Sequence, residues 1–72
     1  MELIEKQSLI NTIMNKGYLV MLDNQEDRKI MWYSYNGFIY KYDNLLEEMQ
    51  KLTNEEYIKQ CKRNKQNGLF II

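Results

Sequence analysis

The chain has no histidine, no proline and no alanine, and only one cysteine. Each absence closes a class of function. One Cys without His cannot assemble a zinc finger or a Cys/His catalytic pair. An internal disulfide framework needs at least two cysteines. Neither sign of charge is in excess: Lys and Arg number 10, Asp and Glu number 10, and the formal net charge is +0. A general nucleic-acid coat needs a basic surplus to neutralise phosphates. No apolar run approaches the roughly 20 residues of a membrane-spanning helix. The opening residues MELIEKQS carry Glu and Gln where a signal peptide has a basic and then an apolar segment. A cytoplasmic protein with no membrane partner is therefore expected.

What is present is a globular composition. Seventy-two residues suit one domain, 1–72. The hydrophobic fraction is 44%, with six Tyr, two Phe and one Trp. A chain this short buries only about 60% of its unfolded surface. Aromatics compensate, since each buries roughly 150–250 Å². Asn, Lys, Ile and Tyr are used heavily, and their codons are AT-rich, which points to a low-GC bacterial or phage genome.

The apolar pattern gives an order of elements. Leu3, Leu9, Ile10, Ile13 and Met14 fall on one stripe at 100° per residue and predict a helix over 2–16. Gly17 after Lys16 suits its end through a left-handed cap. Strands follow at Tyr18–Leu22, 28–35 and Phe38–Tyr42. Asn36-Gly37 predicts a type I′ hairpin. That turn sets Tyr33 opposite Tyr40 and Met31 opposite Tyr42 on one face, with Trp32 and Lys41 on the other. If Leu22 pairs with Arg28, Leu19 and Met21 join the Tyr33 face. Both faces are then apolar and need cover. Leu45, Leu46, Met49 and Leu52 predict a helix capped by Asp43 or Asn44 and ending near Leu52. Thr53-Asn54-Glu55-Glu56 is a capping box that opens another helix, with Tyr57, Ile58 and Cys61 inward and Asn67-Gly68 at its end. Leu69–Ile72 is an apolar tail suited to an added edge strand or a homodimer contact. The expected fold is α+β, a three-stranded antiparallel sheet in the order α-β-β-β-α-α with helices packed on it.

No catalytic constellation is visible. The close carboxylate pairs, Glu26/Asp27, Glu47/Glu48 and Glu55/Glu56, are adjacent residues that do not share a helix face. The three glycines are isolated and cradle no phosphate. Cys61 is expected to be a small buried hydrophobe. The expectation is a non-enzyme without metal or cofactor. Charge is segregated along the chain. Asp23, Glu26 and Asp27 form an acidic loop, and Glu47, Glu48, Glu55 and Glu56 an acidic stretch. Lys59, Lys62, Arg63 and Lys65 follow with no acid among them. The acids suit a basic protein surface. The cations suit phosphates, with Tyr33 or Tyr40 stacking on bases, in a module of double-stranded-RNA-binding-like topology.

The stretch Leu9-Ile10-x-x-Ile13-x-Asn15-Lys16-x-Tyr18-x-Val20-x-Leu22 resembles the first helix and strand of the type II-A anti-CRISPR proteins, phage inhibitors of Cas9. The expected element order is similar to theirs as well. The resemblance implies a phage or mobile-element protein that binds a nuclease and blocks its DNA site with acidic side chains. On this chain those would be Asp23, Glu26, Asp27, Glu47, Glu48, Glu55 and Glu56. That family is strongly acidic, whereas this chain is neutral. The expectation carried forward is a small inhibitor that binds another protein, a host defence nuclease first, with RNA or DNA binding as the alternative.

Overall fold

Asn36 and Gly37 both take positive φ, 50° and 81°, as a type I′ turn requires. The turn aligns β3 (Lys29–Tyr35) with β4 (Phe38–Asp43). Tyr33 pairs with Tyr40, Met31 with Tyr42 and Trp32 with Lys41, the register expected from the turn. β2 (Tyr18–Asn24) lies antiparallel on the far side of β3. The computed structural model describes residues 1–66 and 70–71. The helix end at Asn67-Gly68, and Leu69 and Ile72 of the tail, lie outside the described residues.

The sheet is not three-stranded, and the order α-β-β-β-α-α is overturned. Glu48–Leu52 is a strand, β5, paired antiparallel with β4. Glu2–Ile4 is a second unexpected strand, β1, paired with the outer side of β5. The five strands run β1-β5-β4-β3-β2, all antiparallel, and the two-residue β6 (Phe70–Ile71) adds to β2. Among the described residues two helices complete the fold, α1 (Gln7–Lys16) and α2 (Asn54–Gln66).

Both corrections have a local cause. The expected helix ending near Leu52 cannot start, because Asp43 turns the chain. Its Oδ1 accepts hydrogen bonds from the Leu45 and Leu46 amides at 3.0 and 3.3 Å. Glu47 follows at φ 55°, a left-handed conformation that ends any right-handed helix. Met49 and Leu52 then face opposite sides of a strand, and both are buried. Leu45 and Leu46 remain outside. The expected helix over 2–16 begins only at Gln7, after Lys6, which makes no side-chain cap. Residues 2–4 instead supply the partner that β5 needs on its outer edge, with Ile4 opposite Met49.

The β2 register also departs from the expected one. Leu22 pairs with Met31, not Arg28, and a bulge at Val20 shifts the ladder between Leu19 and Met21. The extra residue turns Met21 to the Trp32 face while Leu19 stays with Tyr33.

Among the described residues each face carries one helix. α1 buries Ile10 and Ile13 against Ile4, Tyr33, Tyr40 and Met49. α2 lays Tyr57 and Cys61 on Met21, Ile30, Trp32 and Leu52. Ile58, expected inward, is 54% exposed. The capping box forms as expected. The Thr53 amide donates to Glu56 Oε1 at 2.9 Å, and the Glu56 amide donates to Thr53 Oγ1 at 3.2 Å.

Gly17 does not use the left-handed cap. Its φ is −73°. Glycine is required there by space, because a Cβ would sit 2.5 Å from the Ile13 carbonyl oxygen and 3.3 Å from Tyr33 Cβ.

Candidate functional site

Antiparallel topology decides which charges meet. The β2–β3 and β4–β5 connections emerge from the same end of the sheet, because β3 and β4 are joined at the other end through Asn36-Gly37. That end collects Asp23, Glu26, Asp27, Glu47 and Glu48 from two hairpins. Glu26, Asp27, Glu47 and Glu48 are exposed and Asp23 is half-buried. Lys29 shares this end, and Lys41 lies farther down the neighbouring face.

The two hairpins are stitched to each other. The Lys29 amide donates to Asn44 Oδ1 at 2.7 Å, and the Asn44 amide donates to the Lys29 carbonyl at 3.1 Å. Below them Arg28 pairs with the buried Asp43, its Nε donating to Oδ2 at 3.0 Å and its Nη2 bonding the same oxygen. The Arg28 hydrogen bond, helped by the Leu46 and Leu45 amides, holds the Asp43 carboxyl below its ordinary range against the cost of burial. The same contact raises Arg28 further. Asp43 thereby does two jobs with one carboxylate. It fixes the turn and locks that turn to the neighbouring hairpin.

The turn presents a pair of residues that sequence reasoning assigned to a core. Leu45 is 62% exposed and Leu46 58% exposed, between the Asp43 cap and the Glu47-Glu48 pair. The signal was Asp43 itself: its carboxylate can take the amides two and three residues on in an Asx-type turn as readily as it caps a helix.

Glu55 and Glu56, expected with this acidic set, lie at the opposite end, where α2 begins. Glu56 is committed to structure, in the capping box and in an ion pair of 2.8 Å with the Met1 ammonium. Those hydrogen bonds bring its carboxyl down to about 2. A groove of about 440 Å³ lies beside it, walled by Met1, Phe38 and Leu52. Lys51 Nζ sits 3.7 Å above the centre of the Phe38 ring there.

The chain matches no family model, and no curated protein or solved structure matches it.

Lys59, Lys62, Arg63 and Lys65 are all exposed on α2. None is ion-paired among the described residues. Tyr33 and Tyr40, the candidate base-stacking residues, are only 8% and 7% exposed beneath α1. Burial raises both hydroxyls above their ordinary value. Cys61 is half-buried, with its Sγ 3.8 Å from Met21 Sδ, so it packs largely as expected. Asn64, not singled out from the sequence, is fully buried. Its Nδ2 donates to Met21 Sδ at 3.3 Å, and its Oδ1 accepts from Gln60 at 2.7 Å. Among the described residues, no three His, Cys, Asp or Glu side chains are grouped to hold a metal ion. No helix among them is long and apolar enough to cross a membrane.

Proposed function

We propose that this chain is a non-enzymatic inhibitor that acts by binding a protein, a host defence nuclease of the CRISPR type first, through the acidic end of its sheet. The observation that carries the reading is the convergence of two hairpins. Five carboxylates, Asp23, Glu26, Asp27, Glu47 and Glu48, share one end of a frame fixed by Arg28 and Asp43. Carboxylates on a rigid edge suit the basic groove in which a nuclease holds DNA phosphates. Leu45 and Leu46 add an apolar centre to that surface, and an apolar centre with a polar rim is the usual build of a protein interface. Glu55 and Glu56, at the far end, are left out of the contact. A phage or mobile-element origin and action in the cytoplasm of a bacterial host belong to the same reading.

The test is phage plating on a host armed with a type II-A CRISPR system and a matching spacer. Expression of the chain should restore plaques. Restriction that persists at full expression removes the nuclease reading.

One observation favours a second reading. The four cations of α2 are exposed on a single helix. In a nucleic-acid-binding module each phosphate contact would steepen the salt dependence by about 0.9 on duplex DNA. The burial of Tyr33 and Tyr40 takes base stacking out of that reading. A titration with labelled duplex RNA and DNA at low salt decides it, and absence of binding discards it.

A further inference from the structure

The acidic turn and the basic helix lie on the same side of the sheet. α2 covers only part of the Trp32 face, reaching from Leu52 in β5 to Met21 in β2. Beside it the register leaves an open shelf on β4, β5 and β1. Lys41, Asp43, Gln50, Glu48 and Leu3 point to this side, since Lys41 pairs with Trp32 and Gln50, and Leu3 with Gln50. Leu46 closes the top of the shelf, where a small cavity of about 80 Å³ lies among Arg28, Lys41, Asp43, Leu46, Glu48 and Gln50.

We infer that the chain forms a two-fold dimer in which α2 of each copy lies on the shelf of the other. Three observations commit the shelf to a second copy. The first is charge complementarity. The shelf rim carries Glu47 and Glu48, the outer side of α2 carries Lys59, Lys62, Arg63 and Lys65, and none of these six is ion-paired among the described residues. Glu55 on the helix and Lys41 on the shelf are the opposing charges, and they leave the excess intact. The second is the apolar match. Ile58, 54% exposed on α2, faces outward within the basic set as Leu46 does within the acidic one. The third is size. Three strands spaced about 4.8 Å apart make a shelf the width of one helix, about 10–12 Å across with side chains. A net charge of +0 adds no long-range repulsion between copies. Because the same two patches meet twice, the contact closes on itself as an isologous dimer.

This inference does not depend on the nuclease reading. It also differs from the dimer expected through Leu69–Ile72, of which only Phe70–Ile71 is described, paired within the chain to β2. A partner that takes up Glu47 and Glu48 would compete with the dimer.

The test is sedimentation equilibrium of the full chain, with circular dichroism to confirm folding. The wild type should dimerise. Raising NaCl from roughly 0.1 M to 1 M shortens the screening length from about 10 Å to about 3 Å and should weaken the dimer. Glu47→Lys with Glu48→Lys, and separately Lys59→Glu with Lys62→Glu, should each raise the dissociation constant at least about tenfold. Mixed together, the two double variants should recover the dimer, since both of their contacts are then complementary. Should a reversal variant fail to fold, Lys59→Gln with Lys62→Gln weakens the dimer without repulsion. A wild type that stays monomeric up to roughly millimolar concentration overturns the inference. So does a dimer indifferent to these substitutions, or a mixture that remains monomeric.

Discussion

Arg28 and Asp43, fifteen residues apart in the chain, are joined by a hydrogen bond of 3.0 Å from Nε to Oδ2, while Asp43 Oδ1 takes the amides of Leu45 and Leu46. One buried carboxylate therefore ties the β2–β3 hairpin to the β4–β5 turn. Asp43→Ala should cost roughly 1–3 kcal/mol, because it removes the Arg28 hydrogen bond and uncaps two amides together. Asp43→Asn should cost less, since its oxygen can still cap the turn. Urea denaturation followed by the fluorescence of Trp32, which is 1% exposed, measures both.

Acid should destabilise the chain in a defined window. Asp43 and Glu56 both ionise more readily in the fold than their ordinary values of 3.8 and 4.5. A lowered carboxyl stabilises the fold above its unfolded value, and that contribution is lost as pH falls through the folded one. For Glu56 the folded value is about 2. Stability should fall between about pH 4.5 and 2 and be level just above that window. Glu56→Gln should flatten the descent, and thermal melts across that range report it.

Gly17 should resist substitution although its φ of −73° is open to any residue. A Cβ would press on the Ile13 carbonyl oxygen at 2.5 Å and on the Ser34 carbonyl oxygen at 3.2 Å. Both are backbone atoms and cannot swing aside. Gly17→Ala should lose roughly 1–3 kcal/mol by overpacking, read as a lower urea midpoint at unchanged slope.

Glu47 holds φ 55° without being glycine or asparagine. Glu47→Gly should raise stability by roughly 0.5–1 kcal/mol through relief of that strain. On the proposed function it should also weaken partner binding. A variant that gains stability while losing binding separates the two roles.

The sequence carried the local devices faithfully and the long-range ones poorly. Asn36-Gly37 fixed the β3–β4 register, and Thr53 with Glu56 announced α2, because each signal is complete within four residues. β5 and β1 were hidden because each is a strand through its neighbours in the sheet, β5 between β4 and β1, and β1 on β5 alone. Met49 pairs with Ile4, a partner 45 positions away, and nothing near Glu48 favours a strand. Leu45, Leu46, Met49 and Leu52 have helical spacing, and the Asp43 turn overrides it. The bulge at Val20 turned Met21 to the Trp32 face, a one-residue slip that no pattern of alternation reveals. The candidate site was half legible for the same reason. Charge in the sequence named the acids, but only the sheet order shows that the two hairpin sets meet and that Glu55 and Glu56 do not join them.

The most direct test of the account is target-DNA cleavage by a purified type II-A CRISPR effector loaded with guide RNA, with the chain added before DNA. The wild type should suppress cleavage. The exposed quadruple variant Glu26→Lys, Asp27→Lys, Glu47→Lys and Glu48→Lys should fold and leave cleavage intact, whereas Glu55→Lys should still inhibit. Cleavage unaffected by the wild type, or suppressed equally by the quadruple variant, would contradict the claim that the acidic hairpin end is the inhibitory surface.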